Sequence, residues 1–97
     1  MEISEFQELM AELYLARDRR RGVYATLLWV VEEVGELAEA VRKGDVDSIG
    51  SEIADVIAWV CSLANILGID VERELKRKWG ARVCPRCGSN PCTCPNE

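Results

Sequence analysis

Apolar residues recur along this chain at helical spacing. Ile3, Phe6, Leu9, Met10, Leu13 and Tyr14 fall three and four apart, and Ser4 with Gln7 has the spacing of a capping box, so a first helix is expected to begin there. Gly22, behind the basic run Arg19-Arg20-Arg21, is placed to end it. The pattern predicts a second helix from about Tyr24 to Lys43, with Leu27, Leu28, Val31, Val34, Gly35, Ala38 and Val41 as its apolar stripe and Gly44 as its stop. Asp47 or Ser48 is placed to cap a third helix reaching Leu67 before Gly68. Asp70 is placed to cap a short, basic fourth helix ending near Gly80. No strand-like alternation persists, so the expected fold class is all-α: an antiparallel bundle of about four helices.

The third helix differs from the others. From Ile53 to Leu67 it is apolar on every side, with Asp55 as its one charge. Such a helix belongs in the middle of a bundle, and one small chain offers too few neighbours to cover it, so completion by homo-oligomerisation is expected. The same run is 15 residues long and contains an acid, too short and too polar for a membrane span. The opening Met1-Glu2-Ile3-Ser4-Glu5 does not read as a signal peptide. A cytoplasmic location is expected, where thiols stay reduced or bind metal. Residues 1–82 read as one helical domain and residues 83–97 as a short cysteine-rich tail.

Composition narrows the chemistry. The 97 residues include 17 acids, 12 bases and no His, for a formal net charge of −5. An acidic balance argues against a nucleic-acid polymer as partner. Without His there is no Ser-His-Asp or Cys-His catalysis, no His-ligated zinc and no Glu-x-x-His di-iron centre. The charge is also uneven: residues 32–55 carry eight acids against two bases, more than the whole excess.

Two segments concentrate those acids, Glu32-Glu33-Val34-Gly35-Glu36 and Glu52-Ile53-Ala54-Asp55. In each, two carboxylates three positions apart share a helical face. Hard divalent cations take several oxygen ligands, and paired acids on facing helices supply them. Taken alone, the glutamates of the second helix, Glu39 included, read as a solvated polar face. Asp55 changes this, because a carboxylate inside an apolar helix needs compensation and no Lys or Arg lies on that helix. A metal shared with Glu33, Glu36 and Glu52 would provide it. Trp29 precedes Glu33 by one turn and Trp59 follows Asp55 by one turn. Each alone reads as core filling; together they look like walls of a pocket for a flat base.

Glu-Glu-x-x-Glu and Glu-x-x-Asp, separated by 15 residues, resemble the MazG-type nucleotide pyrophosphohydrolases, all-α enzymes of the dimeric dUTPase-like superfamily. The similarity extends through Leu37-Ala38-Glu39-Ala40, Ala54-Asp55-Val56-Ile57 and the stretch from Ala64 to Asp70. The resemblance implies Mg²⁺- or Mn²⁺-dependent hydrolysis of a nucleoside triphosphate to the monophosphate and pyrophosphate, a house-cleaning reaction on nucleotide pools. It implies Glu33, Glu36, Glu52 and Asp55 as Mg²⁺ ligands, Trp59 near the base, and a homodimer or homotetramer. Glu32 or Glu33 is the candidate general base, since no His is present. Family members often carry Lys, Asn and Arg beyond the start of the fourth helix. Here the segment from Lys76 to Arg82 lacks the Asn, and Lys76 or Lys78 is the candidate for the phosphates. Cations favouring the helix dipole are the other reading of those lysines.

The tail contains Cys84, Cys87, Cys92 and Cys94, a Cys-x-x-Cys followed by Cys-x-Cys. Tetrahedral Zn²⁺ held by four thiolates is the expected ligand, structural because no coordination position stays open. Disulfides are the alternative, and an iron–sulfur cluster is less favoured. Cys61 reads as a small core residue. A function of another class is a non-enzymatic helical oligomerisation module that uses its zinc knuckle to hold a protein or nucleic-acid partner.

Overall fold

The computed structural model of the chain describes residues 1–95. Its elements are α1 (Ile3–Arg21), α2 (Val23–Lys43), α3 (Val46–Leu67) and α4 (Val71–Trp79), and no strand occurs among the described residues. Glycines end three of them with left-handed or extended positive-φ backbone: Gly22 (φ 91°), Gly44 (77°) and Gly68 (69°). A residue without Cβ adopts those angles without strain, and the turn lets the next helix start at once.

Two caps lie upstream of their expected places. The Glu2 N–H donates to the Glu5 carboxylate at 2.9 Å, so α1 begins at Ile3 and Ser4 lies inside it. Asp45, and not Asp47 or Ser48, caps α3, its Oδ1 accepting from both of those backbone N–H groups at 3.1 and 3.4 Å. The link between α2 and α3 therefore shrinks to Gly44 and Asp45, and the two helices form a tight antiparallel hairpin. Starting early also makes α3 22 residues long, enough by length and composition to cross a membrane, where the apolar run from Ile53 to Leu67 alone is too short. Here α3 packs against α2 and is crossed by α1.

Gln7, expected as half of a cap, is buried and joins three elements. Its Nε2 donates to Asn65 Oδ1 (2.9 Å) and to the Ile69 carbonyl (2.7 Å), and its Oε1 accepts from the Val71 N–H (2.9 Å). Asn65 Nδ2 returns a bond to the Gln7 carbonyl at 3.2 Å. The amide thus fixes α1 against the turn between α3 and α4. Gln7→Ala is expected to lower stability by about 1–2 kcal/mol, read from the urea midpoint, because it leaves a carbonyl and an N–H without their partner in a partly buried place. An unchanged midpoint would refute the clamp.

The buried apolar set is small: Met10, Ala40, Cys61 and Ala64. Many large apolar side chains stay open, among them Leu28 (68% exposed), Val31 (61%), Ile53 (46%) and Ile57 (46%).

Candidate active site

The α2–α3 hairpin brings the two acidic segments together. Glu33 and Glu36 from α2 and Glu52 from α3 place carboxylate oxygens within 4.8 Å of one another. Glu33 and Glu52 are half-buried, and one oxygen of each, Oε2, is buried without a hydrogen-bond partner among the described residues. Burial, with Glu36, Asp55 and Glu52 close by, pushes the Glu33 carboxyl up to about 7. Unpartnered, crowded carboxylate oxygens are strongly disfavoured unless a cation joins them. Hard oxygen donors at this separation suit a divalent metal, so the residues present fit one.

Asp55 behaves differently from its expectation. It lies outside that group of three, and it is exposed. Its charge nonetheless reaches Glu33 and helps to raise that carboxyl. Asp55 opens onto the space between α1 and α3, so an all-apolar sequence does not bury it. The missing compensation belongs to Glu33 and Glu52 instead. Glu32 is exposed on α2, beside the cluster in sequence and absent from it. Glu39 pairs with Arg42 and Lys43 on the solvent side, which lowers its pKa.

Asp55 lines a cavity of about 250 Å³ between α1 and α3, together with Tyr14, Arg17, Asp18, Arg21 and Trp59. Arg21 is held firmly there. Its Nη1 donates to Asp18 Oδ1 (2.8 Å) and to Thr26 Oγ1 (3.4 Å), and its guanidinium carbon lies 4.8 Å from the Trp59 ring centroid. Asp18 and Thr26 are almost wholly buried, so the guanidinium is oriented by partners that cannot move aside. In the sequence Arg19-Arg20-Arg21 has the look of a helix-ending cluster, and Arg17 and Arg21 do not stand out as site residues. The available signal was the spacing of Met10, Tyr14, Arg17, Asp18 and Arg21, which share one face of α1.

The tryptophans do not stand as two walls around an open slot. Trp29 and Trp59 stack on each other, centroids 5.4 Å apart and planes 11° from parallel, because α2 and α3 pack closely enough to bring the rings into contact. Trp59 still lines the cavity; Trp29 is 43% exposed. Lys76 and Lys78 are on other surfaces of the chain: Lys76 pairs with Glu72 at 3.4 Å, and Lys78 Nζ sits 4.8 Å from the Trp79 ring. Arg17 and Arg21 are the cations beside Asp55 in this cavity.

The model of the MazG nucleotide pyrophosphohydrolase domain matches residues 21–82, a span that contains all four clustered or adjoining acids. The chain belongs to this family. A dATP/dGTP diphosphohydrolase of Cyanophage S-2L is 37% identical over 76 residues, which cover 73% of this chain and 67% of that relative. As a MazG protein the chain is a nucleoside triphosphate pyrophosphohydrolase, so enzymatic hydrolysis takes precedence over the non-enzymatic module as its function. Most of α1, and every cysteine of the tail, lie outside the matched MazG span.

Proposed function

We propose that this MazG enzyme hydrolyses a purine deoxynucleoside triphosphate to the monophosphate and pyrophosphate, using Mg²⁺ or Mn²⁺ held by Glu33, Glu36 and Glu52, with Asp55 alongside. The observation that carries the reading is the pair of buried, unpartnered oxygens on Glu33 and Glu52 inside a three-carboxylate cluster. The purine follows from the name of the phage relative.

A divalent cation there would neutralise phosphate charge and lower the pKa of a bound water. The chain's own groups do the rest. Arg17 and Arg21 meet the phosphates, and Asp18 and Thr26 orient Arg21 so that little entropy is lost on contact. Trp59 offers its apolar face to the nucleoside. Glu33 or the neighbouring Glu32 accepts a proton from the attacking water, since no His is present to do so. A screen of pyrophosphate release over common nucleoside triphosphates with Mg²⁺ or Mn²⁺ tests the reading. Release fastest from dATP or dGTP is expected, and no release from any nucleotide would overturn it.

The raised Glu33 carboxyl also predicts a pH effect. Its folded pKa of about 7 lies above its ordinary 4.5, so folding penalises the ionised form. The penalty is absent below 4.5, grows between the two values, and is complete above 7. In EDTA the melting temperature is therefore expected to fall across pH 4.5 to 7, and Mg²⁺ is expected to flatten that fall. A cation-independent profile would sink the metal assignment.

The same reading includes a homo-oligomer, dimer or pair of dimers, formed over the apolar residues that α2 and α3 leave exposed. Leu27, Val31 and Val34 on α2, and Ile53, Ile57 and Val60 on α3, follow the spacing of one helical face each.

A further inference from the structure

The tail is the one part of the molecule that its helices do not explain. Beyond α4, residues 80–95 form turns and irregular chain without helix or strand, and the cysteines there are at most half-buried. Backbone ordering costs about 1–2 kcal/mol per residue, and this segment has no apolar core to offset it. Yet the sulfurs of Cys84, Cys87, Cys92 and Cys94 all lie within 4.8 Å of one another.

We propose that these four thiolates bind one Zn²⁺ in a closed tetrahedral site that fixes the tail against the end of α4. The distances carry it. An ion with Zn–S bonds of about 2.3 Å at the centre of a tetrahedron sets neighbouring sulfurs about 3.8 Å apart. Cys84 and Cys94 are 3.7 Å apart, and Cys87 and Cys92 are 3.9 Å apart. Disulfides need sulfurs about 2.05 Å apart, and all four cysteines are unbonded. A single ion fits the space that the four sulfurs enclose, and a soft thiolate set selects Zn²⁺ over the hard cations suited to the glutamates.

The surrounding backbone is arranged for thiolate charge. The Thr93 N–H donates to Cys87 Sγ and the Cys94 N–H to Cys92 Sγ, both at 3.3 Å. Gly88, at φ 72°, turns the chain so that its N–H reaches the Cys84 carbonyl at 2.8 Å, while the Cys84 N–H reaches the Ser89 carbonyl at 2.9 Å. These bonds orient the ligands before the ion arrives, as outer-shell partners do at metal sites. Asn90 Nδ2 donates to the Arg82 carbonyl at 2.7 Å, tying the knuckle to the chain leaving α4. Between knuckle and helix lies a groove of about 700 Å³ whose walls include Lys78, Trp79, Arg82 and Pro85. The ion holds the shape of that groove. Four protein ligands leave no place for substrate, so the role is structural.

The full chain, purified without chelator, is expected to retain one Zn²⁺ by elemental analysis. Replacement by Co²⁺ is expected to give the intense visible bands of tetrahedral thiolate coordination. The double variant Cys87→Ser, Cys92→Ser is expected to lose the zinc, while Cys61→Ser keeps it. Helix content and Mg²⁺-dependent pyrophosphate release in the double variant are expected to stay within about twofold, as for a change remote from chemistry. Zinc absent from the intact chain, iron in its place, or a mass two hydrogens lighter per cysteine pair would overturn the site. Release lost more than about tenfold with helices intact would overturn its structural role. Because zinc content and cobalt spectra are read without any nucleotide, failure of the pyrophosphohydrolase reading would leave this result unaffected.

Discussion

Glu33→Gln is expected to cut pyrophosphate release by on the order of 10²-fold or more while making the cation-free chain more stable at pH 8. Opposite signs follow from one observation. Glu33 contributes a carboxylate oxygen that is buried and unpartnered, crowded by Glu36, Asp55 and Glu52. In the proposed metal site that oxygen would supply charge to a divalent cation. For folding without the cation it is a desolvated charge among like charges, which Gln relieves at nearly constant shape. Near pH 5 the wild-type group is largely protonated, because its pKa is about 7, so the stability difference should shrink there and widen as pH rises. Melts in EDTA at pH 5 and pH 8, beside a pyrophosphate assay with Mg²⁺, read both signs. Equal destabilisation at both pH values would mean that Glu33 is a packing residue, and activity retained within about tenfold would remove it from the metal site. Glu52→Gln should likewise cut pyrophosphate release, since its Oε2 is equally unpartnered.

That dual behaviour explains what could be read from sequence. The acid spacing was legible, because residues three apart on a helix must share a face and a short link must fold two helices back on each other. Glu33, Glu36 and Glu52 meet for those local reasons alone. Burial was not legible, because it depends on what covers each helix. Asp55 sits in the more apolar sequence, yet it is exposed while Glu33 and Glu52 lose solvent. Caps also slipped, Glu2 and Asp45 taking the roles expected of Ser4 and of Asp47 or Ser48, since several acids and hydroxyls near a helix start compete for the same N–H groups. The contribution of α1 was hardest to foresee. Arg17 and Arg21 enter the site through the packing of α1 across α3, and a basic run before a glycine is also an ordinary helix ending. The stacked tryptophans teach the same lesson: spacing placed both rings beside the acids, and only packing decided that they touch each other.

The second large effect is expected at the uncovered face of α3. Ile57→Glu should convert the protein from an oligomer to a monomer or an unfolded chain, because it would bury a charge in an apolar contact between copies. A single chain is thinly packed. Its apolar core comprises Met10, Ala40, Cys61 and Ala64, and none of these is a large branched or aromatic side chain. Its radius of gyration is 15.7 Å, against about 13 Å for a compact domain of this length. Val31 on α2 and Ile53, Ile57 and Val60 on α3 are each more than two-fifths exposed. Fully burying a side chain of that size contributes about 1.5–3 kcal/mol. These are already about half-covered, so each would bring roughly half of that to a contact between copies, against the cost of association. Light scattering on the wild type should give about two or four times the 10.9 kDa chain mass. Its melting temperature should rise with protein concentration, as folding linked to association requires. This second measurement does not depend on whether the variant folds. A wild-type chain that scatters as a monomer, with a melting temperature independent of concentration, would show that these side chains are covered by nothing and that α3 tolerates water.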